Sequence, residues 1–290
     1  MSFPASATDL ALESRIHDLV AAGSMEISPR ELHRLKDVGG RLPAGSCVYI
    51  PSLPGLPLGR TLEAIAAIRD AGLDPVPHVS ARRILNRDEF RSFLGKAASD
   101  YGVHRCLLLG GDEPKPKGPF ADSLQVLEER ILPDCGVREI GIAGYPEGHP
   151  RIPLNALDKA VARKLELAAK QSIGVYVLTQ FSFAPARVVE YCSSLARQYP
   201  DLPVYVGIAG PTDPAALLRY AQRCGVSSSL RALRGLGTGI AQLVTNTDPR
   251  DHLVAVARYT LIREPSNVVG VHLYSFGGAV RTADWIGKLL

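Results

Sequence analysis

The chain has 290 residues, 46% of them hydrophobic and 21% charged, which is the composition of a globular protein with apolar material for a sizeable core and not of a disordered chain. Its net charge of +4 is spread along the sequence, so it suits a locally basic site for anionic small molecules and does not argue for nucleic acid as a partner. No stretch approaches the roughly 18 to 20 apolar residues of a membrane span, so no membrane partner is expected.

The N-terminal "MSFPASATDLALESR" lacks a basic start followed by an apolar run, and the expectation is a cytoplasmic protein. Short apolar runs suited to buried parallel strands then follow in order at Met25–Ile27, Cys47–Ile50, Pro75–Val79, Arg105–Leu109, Glu139–Ala143, Gly174–Leu178, Val204–Ile208 and Val268–Leu273. Between and after them lie helical patterns at Pro29–Val38, Thr61–Ala71, Asp88–Tyr101, Asp122–Ile131, Leu157–Lys170, Pro185–Tyr199, Pro214–Cys224 and Gly278–Leu290. Eight strand–helix units favour a closed (β/α)₈ barrel forming one domain over residues 1–290, with an open doubly wound sheet as the arrangement that periodicity alone leaves open. The segment at about 225–265 is too long for one helix and is expected to hold a second, from about Arg250 to Arg263, enlarging the barrel's rim.

Five isolated cysteines (Cys47, Cys106, Cys135, Cys192, Cys224) show no CxxC pair, so reduced thiols and no zinc site are expected. "GLGTG" at 235–239 follows no strand and lacks the spacing of a dinucleotide fingerprint. The serines at 227–229 read as a turn and helix cap.

A barrel builds its site from the loops that follow its strands, so those positions were read first. They hold Glu26 in "SMEIS", His78 and Ser80, "GGDEP" from Gly110, "AGYPEGHP" from Ala143, "TQFSF" from Thr179, "GIAGP" from Gly207, and "HLYSF" from His272. This clustering of polar and aromatic groups favours an enzyme or a small-molecule site over a purely structural role.

In order and spacing these motifs resemble the strand-end motifs of methylenetetrahydrofolate reductases, and the likeness runs over nearly the whole chain. The most specific pieces are "YPEGHP" and the "TQ" some thirty residues later. The resemblance implies a (β/α)₈ barrel that reduces 5,10-methylenetetrahydrofolate to 5-methyltetrahydrofolate in one-carbon metabolism, with NADH or NADPH as hydride donor and bound FAD as carrier. A carboxylic acid of raised pKa suits the proton transfer that opens the imidazolidine ring, and Glu26 is similar in position to the family's general acid. The competing reading is an ion pair with a barrel lysine or arginine.

On the same resemblance Asp112, Gln180, Phe183 and Tyr274 bind the folate. Against this stand a turn role for Asp112, a loop-satisfying amide for Gln180, and plain core packing for Phe181 and Phe183. His78, Gly111, Asp112, Ala143, Tyr145, His149 and Lys164 fall on positions that line the family's flavin. The arginine before the family's "GD" is Gly110 here, the threonine ending strand two is Ile50, and the tyrosine before the fourth helix is Phe120. "SFGG" stands where the family has "TLNR", so an arginine is lost there unless Arg281 substitutes. Lys115, Lys117 and Arg151 are the cations that could replace lost charge. Two alternatives therefore stay open: a flavin-free reductase passing hydride directly from NADH to the folate, and a noncatalytic folate-binding protein. The choice between NADH and NADPH and the oligomeric state are open as well.

Overall fold

The computed structural model describes residues 6–223, 226, 249–262 and 266–290. Its strands close into one barrel in chain order: β1 (Ser24–Glu26), β2 (Cys47–Ile50), β3 (Asp74–Ser80), β4 (Arg105–Leu109), β5 (Glu139–Gly144), β6 (Gly174–Thr179), β7 (Val204–Ala209) and β8 (Val268–Tyr274). Closure removes the open-sheet alternative, and each strand falls within a residue or two of its expected span. The helices are α1 (Ala7–Ala21), α2 (Leu35–Gly39), α3 (Leu58–Asp70), α4 (Arg87–Tyr101), α5 (Ser123–Glu128), α6 (Ile131–Asp134), α7 (Leu154–Lys170), α8 (Pro185–Gln198), α9 (Pro214–Arg223), α10 (Pro249–Ile262) and α11 (Ala279–Gly287).

Three helices differ from expectation, each for a local reason. α1 lies in the segment read only for the absence of a leader. Its start is a capping box in which the Ser6 hydroxyl accepts from Asp9 N at 3.2 Å and the Asp9 carboxylate accepts from Ser6 N at 3.2 Å. The helix expected over Pro29–Val38 is a 3₁₀ turn, Pro29–Arg34, running into the short α2. The one expected over Asp122–Ile131 breaks at Arg130, whose φ of 53° interrupts it between α5 and α6. α10 begins within a residue of its expected start. "GLGTG", the serines at 227–229 and Cys224 lie outside the described residues.

The chain forms two compact units, Met1–Met25 with Tyr145–Glu147 and Thr179–Leu290, and Glu26–Gly144 with Gly148–Leu178. In the first unit β8 pairs in parallel with β1 (Ser24 opposite His272) and with β7, whose register shifts at Val204/Tyr205. α1, α8 and α10 bury Ile16, Leu19, Val188, Leu195, Leu253 and Val256. In the second unit β2 to β5 pair in parallel, with Tyr49 opposite Val76, His78 opposite Leu107, and Leu107 opposite Gly141. Inside that sheet the hydroxyls of Tyr49 and Tyr176 meet at 2.7 Å, and the Arg105 guanidinium lies 5.4 Å from the Tyr176 ring centre while pairing with Glu139 at 2.5 Å. Burying a tyrosine hydroxyl and a guanidinium is tolerable because each has a partner.

Among the described residues Cys47, Cys106, Cys135 and Cys192 are free thiols, no helix is long and apolar enough to cross a membrane, and no group of three or more His, Cys, Asp or Glu side chains could hold a metal ion.

Gly141 is what lets the Tyr176 ring lie across β5, because a Cβ there would stand 2.6 Å from Cζ and 2.7 Å from Cε2 and the hydroxyl. Gly141→Ala therefore overpacks a filled core and should lower the unfolding free energy by about 1 to 3 kcal/mol. Urea denaturation of the two proteins checks this, and an unchanged midpoint would contradict it.

Candidate active site

In the second unit, Glu26 ends β1 and is mostly buried. The backbone beyond it is held by Ile27 N, which donates to Tyr49 O at 2.9 Å, and Ser28 then caps the turn that carries Glu31. Among the described residues no cation pairs with Glu26. Burial, and secondarily the neighbouring Glu31, push its pKa up to about 8. A carboxyl in that state keeps its proton at neutral pH, as a general acid must. Glu31 was not singled out from the sequence; a second carboxylate five residues on was the available signal.

His78 sits on β3 with its ring edge-on to Tyr49, the centroids 6.0 Å apart. Its Nε2 is buried and finds no hydrogen-bond partner among the described residues, and burial lowers its pKa to about 3. The imidazole is therefore neutral. Asp112 stands exposed in the bend after β4. Gly111 before it takes φ +94°, and a Cβ there would come 3.3 Å from that of Ser80, so the second glycine of "GGD" is required twice over.

The Asp112 loop is braced from β3. Arg82 N donates to Gly110 O at 3.0 Å, its guanidinium donates to Ala121 O at 2.7 Å and Glu113 O at 3.0 Å, and Lys117 N donates to Arg82 O at 2.9 Å. Arg83 pairs with the Glu113 carboxylate at 3.1 Å and donates to Ser52 O. Neither arginine was singled out in the sequence, although two adjacent arginines directly after a buried strand ask for buried partners.

Ala143 is the penultimate residue of β5 and partly buried. His149 closes a tight turn: its Nδ1 accepts from Arg151 N at 3.2 Å, and it bridges to Ile152. Its pKa is lowered by burial first and by Arg151 next, against the Asp112 carboxylate. Lys164 on α7 is largely buried, which pulls its pKa down to about 8 despite the Asp122 carboxylate. Asp122 itself caps α5 through Leu124 N and Gln125 N. Phe120, completely buried beneath the Arg87 guanidinium, is core.

In the first unit, the hydroxyl of Thr179 accepts from Gly207 N at 2.8 Å, and its carbonyl accepts from the Tyr274 hydroxyl at 2.9 Å. A Cβ on Gly207 would stand 2.6 Å from Tyr274 Cε2, so this glycine gives the ring its place. Gln180 comes next, its Oε1 accepting from Phe181 N at 3.1 Å. Phe181, 1% exposed, is core, whereas Phe183 is only partly buried and packs edge-on against it at 5.8 Å. His272 Nδ1 lies 2.8 Å from Ser24 Oγ. Tyr145 is partly buried and Arg281 is exposed on α11.

Phe276 was missed. Its ring lies between Tyr220 at 4.8 Å and Tyr274 at 5.8 Å, with Phe181 at 5.0 Å, and its backbone takes φ +47°, a conformation costly for a bulky side chain. The aromatic sandwich holds it there.

Residues 57–234 match the family model described as methylenetetrahydrofolate reductase. The chain belongs to that family. Among curated relatives, methylenetetrahydrofolate reductase 2 of Saccharomyces cerevisiae (strain ATCC 204508 / S288c) is 38% identical over 86 residues, a stretch that spans 29% of this chain and 14% of the yeast protein. Among solved structures, an uncharacterized protein from Clostridium thermocellum that binds two copies of 5-methyl-5,6,7,8-tetrahydrofolic acid superposes with a TM-score of 0.62 at 11% identity, covering 98% of this chain and 100% of that one. At that identity the likeness is one of fold. The family match includes His78, Asp112, Lys164 and Gln180 and leaves out Glu26 and Tyr274.

The Glu26 shift has a stability consequence. Its folded pKa is raised, so its contribution is fully present below the unfolded value near 4.5 and is lost as pH rises through about 8. Glu26→Gln carries no such loss, so relative to wild type it should gain on the order of a few kcal/mol between about pH 5 and about pH 9. Urea melts of both proteins at the two pH values check this; parallel changes would show that Glu26 titrates normally.

Proposed function

We propose that this chain reduces 5,10-methylenetetrahydrofolate to 5-methyltetrahydrofolate with hydride from NADH or NADPH, residues 1–290 acting as one catalytic domain in the cytoplasm. The observation that carries the reading is Glu26, a mostly buried carboxyl at a strand end that holds its proton at neutral pH and pairs with no cation among the described residues. Family membership supplies the substrate class, and the Clostridium protein's methyltetrahydrofolate is consistent with it.

Glu26 gives its proton to N10 of the folate, the bond from N10 to the bridging methylene carbon breaks, and N5 becomes an iminium. Hydride from the dihydronicotinamide ring then reaches that carbon, leaving an N5-methyl group, the oxidised nucleotide and a Glu26 carboxylate that takes a proton back from water. The Asp112 carboxylate accepts paired hydrogen bonds from the pterin amine and ring nitrogen, on a loop that Arg82 keeps from shifting. Gln180, Phe183 and Tyr274 are further proposed folate contacts.

FAD is the family's usual carrier, and the residues present do not fit a tightly held one. Lys164 and His78 suit it, one by charge and one by its unsatisfied nitrogen. Gly110 has no side chain to donate, Ile50 is a buried apolar residue, and Phe120 is spent in the core under Arg87. No step is therefore drawn through flavin, and direct transfer from the nicotinamide nucleotide is the preferred route.

Glu26→Gln should lose at least about 100-fold in turnover, the lower range for a general acid, while its affinity for methylenetetrahydrofolate stays within about twofold. The wild-type rate should fall above about pH 8 as the acid ionises. Wild-type turnover in this variant would overturn the role of Glu26. The purified protein should be colourless and should oxidise NADH only when methylenetetrahydrofolate is present; a stoichiometric flavin spectrum would restore the flavin route.

A further inference from the structure

We propose that the cavity between the β2–α3 loop and the segment after β3, in the second unit, binds the adenine end of the nicotinamide nucleotide. This rests on the reductase reading above. The cavity holds about 240 Å³, less than the roughly 300 to 1,000 Å³ of sites that take a whole drug-sized ligand, so it admits one ring system and not a dinucleotide. Neither Glu26 nor Asp112 lines it, so the ring it takes is not the reacting one.

The lining has the character of a heteroaromatic slot. Leu53 and Leu56 come from the loop after β2, and Ile84, Leu85 and Phe90 from the opposite wall. Leu85 is 55% exposed, apolar surface that a bound ring would cover. That wall is fixed in place, since Gly118 presses so closely on the carbonyls of Ile84 and Leu85 that it has no room for a Cβ.

His78 supplies the polar element. It lines the cavity, and its buried Nε2 has no hydrogen-bond partner among the described residues, an unfavourable state for a buried polar atom. Adenine carries both an amine donor and ring-nitrogen acceptors, so it satisfies this nitrogen in either tautomer once the imidazole turns toward the cavity. A purely hydrocarbon ligand would leave it unpaired.

The rim suits the phosphate that follows. Arg83 and Lys117 share the Glu113 carboxylate, Lys117 through a 3.6 Å contact on an exposed side chain, so Lys117 is the cation most readily redirected to an incoming anion. Glu89 also lines the cavity and keeps the rim near neutrality, which suits an adenosine with one adjoining phosphate better than a cluster of them. The first turn of α3, whose cap residue Pro57 offers no side-chain acceptor, opens on the same space.

The test uses the full chain and AMP as the probe, titrated by calorimetry against wild type, Leu56→Trp and Lys117→Ala. AMP should bind wild type and be displaced by NADH. Leu56→Trp, which fills the slot, should weaken AMP roughly tenfold or more and raise the KM for NADH by a similar factor. Lys117→Ala, at an exposed site that leaves folding untouched, should weaken AMP several-fold and adenosine not at all. Absence of AMP binding to wild type, or equal binding by wild type and both variants, would overturn the site. Copurified flavin lost from Leu56→Trp with an unchanged KM for NADH would also overturn the assignment, since the adenine would then be the flavin's. If AMP binds as described but no turnover is found, the reductase reading falls and the adenine site stands; turnover without AMP binding has the opposite meaning.

Discussion

Two tyrosine rings that lie flat across glycines inside the barrel strands hold much of the remaining geometry in place. In one unit, Tyr176 crosses Gly141, its hydroxyl meets that of Tyr49, and the Tyr49 ring in turn sets the edge against which His78 stands. In the other, Tyr274 crosses Gly207, ties down the carbonyl of Thr179 just before Gln180, and forms one side of the sandwich that keeps Phe276 in its strained conformation. Each ring is admitted only where a Cβ is missing, so site geometry here begins with two absent methyl groups. Packing at interior density transmits small changes at such points rather than absorbing them.

Charge is arranged differently along the second unit's strands. At their N-terminal ends Arg105 pairs with Glu139 and Arg69 with Asp74, the Cys47 thiol lying between the two pairs. Beyond their C-terminal ends Arg82 and Arg83 are consumed in bracing the loop of Asp112. Glu26 is left with an acidic neighbour and, among the described residues, no paired cation. An isolated buried carboxylate would be expensive, so the group answers by keeping its proton, and the same lack of compensation that costs stability at high pH makes an acid of it. The neutral His78 follows the same logic with opposite charge: burial removes the proton.

Much of this was legible in the sequence because period and punctuation report directly on burial. Eight apolar runs separated by helical stretches are enough to propose the barrel, and strand ends are where a barrel's chemistry gathers, so Glu26, His78 and Asp112 could be named before any coordinates. What escaped depends on contacts between residues far apart in the chain. Arg82 grips carbonyls up to 39 residues away, and nothing local distinguishes it from a solvated arginine. Phe276 looks like one more core aromatic until its φ is known. α1 announces itself locally by its capping box alone, in "SATD", and was not expected from the sequence. The Gln180 oxygen is turned onto the Phe181 backbone and the Phe181 ring is core, contacts that no spacing in the sequence announces.

The family match covers His78, Asp112, Lys164 and Gln180 but ends short of Glu26 on one side and Tyr274 on the other. The acid therefore draws its support from environment, not from membership, and the same test of environment can be applied to the carrier. A flavin needs donors along a long polar chain, and at the three departing positions the chain offers a glycine, a buried isoleucine and a phenylalanine already packed beneath an arginine. A shorter requirement is met far better: one neutral imidazole, one redirectable lysine and apolar walls suit a single adenine nucleotide. A barrel that lost the long recognition while keeping the short one would still catalyse the reduction if the nucleotide itself delivers hydride, because the proton comes from Glu26 under either route.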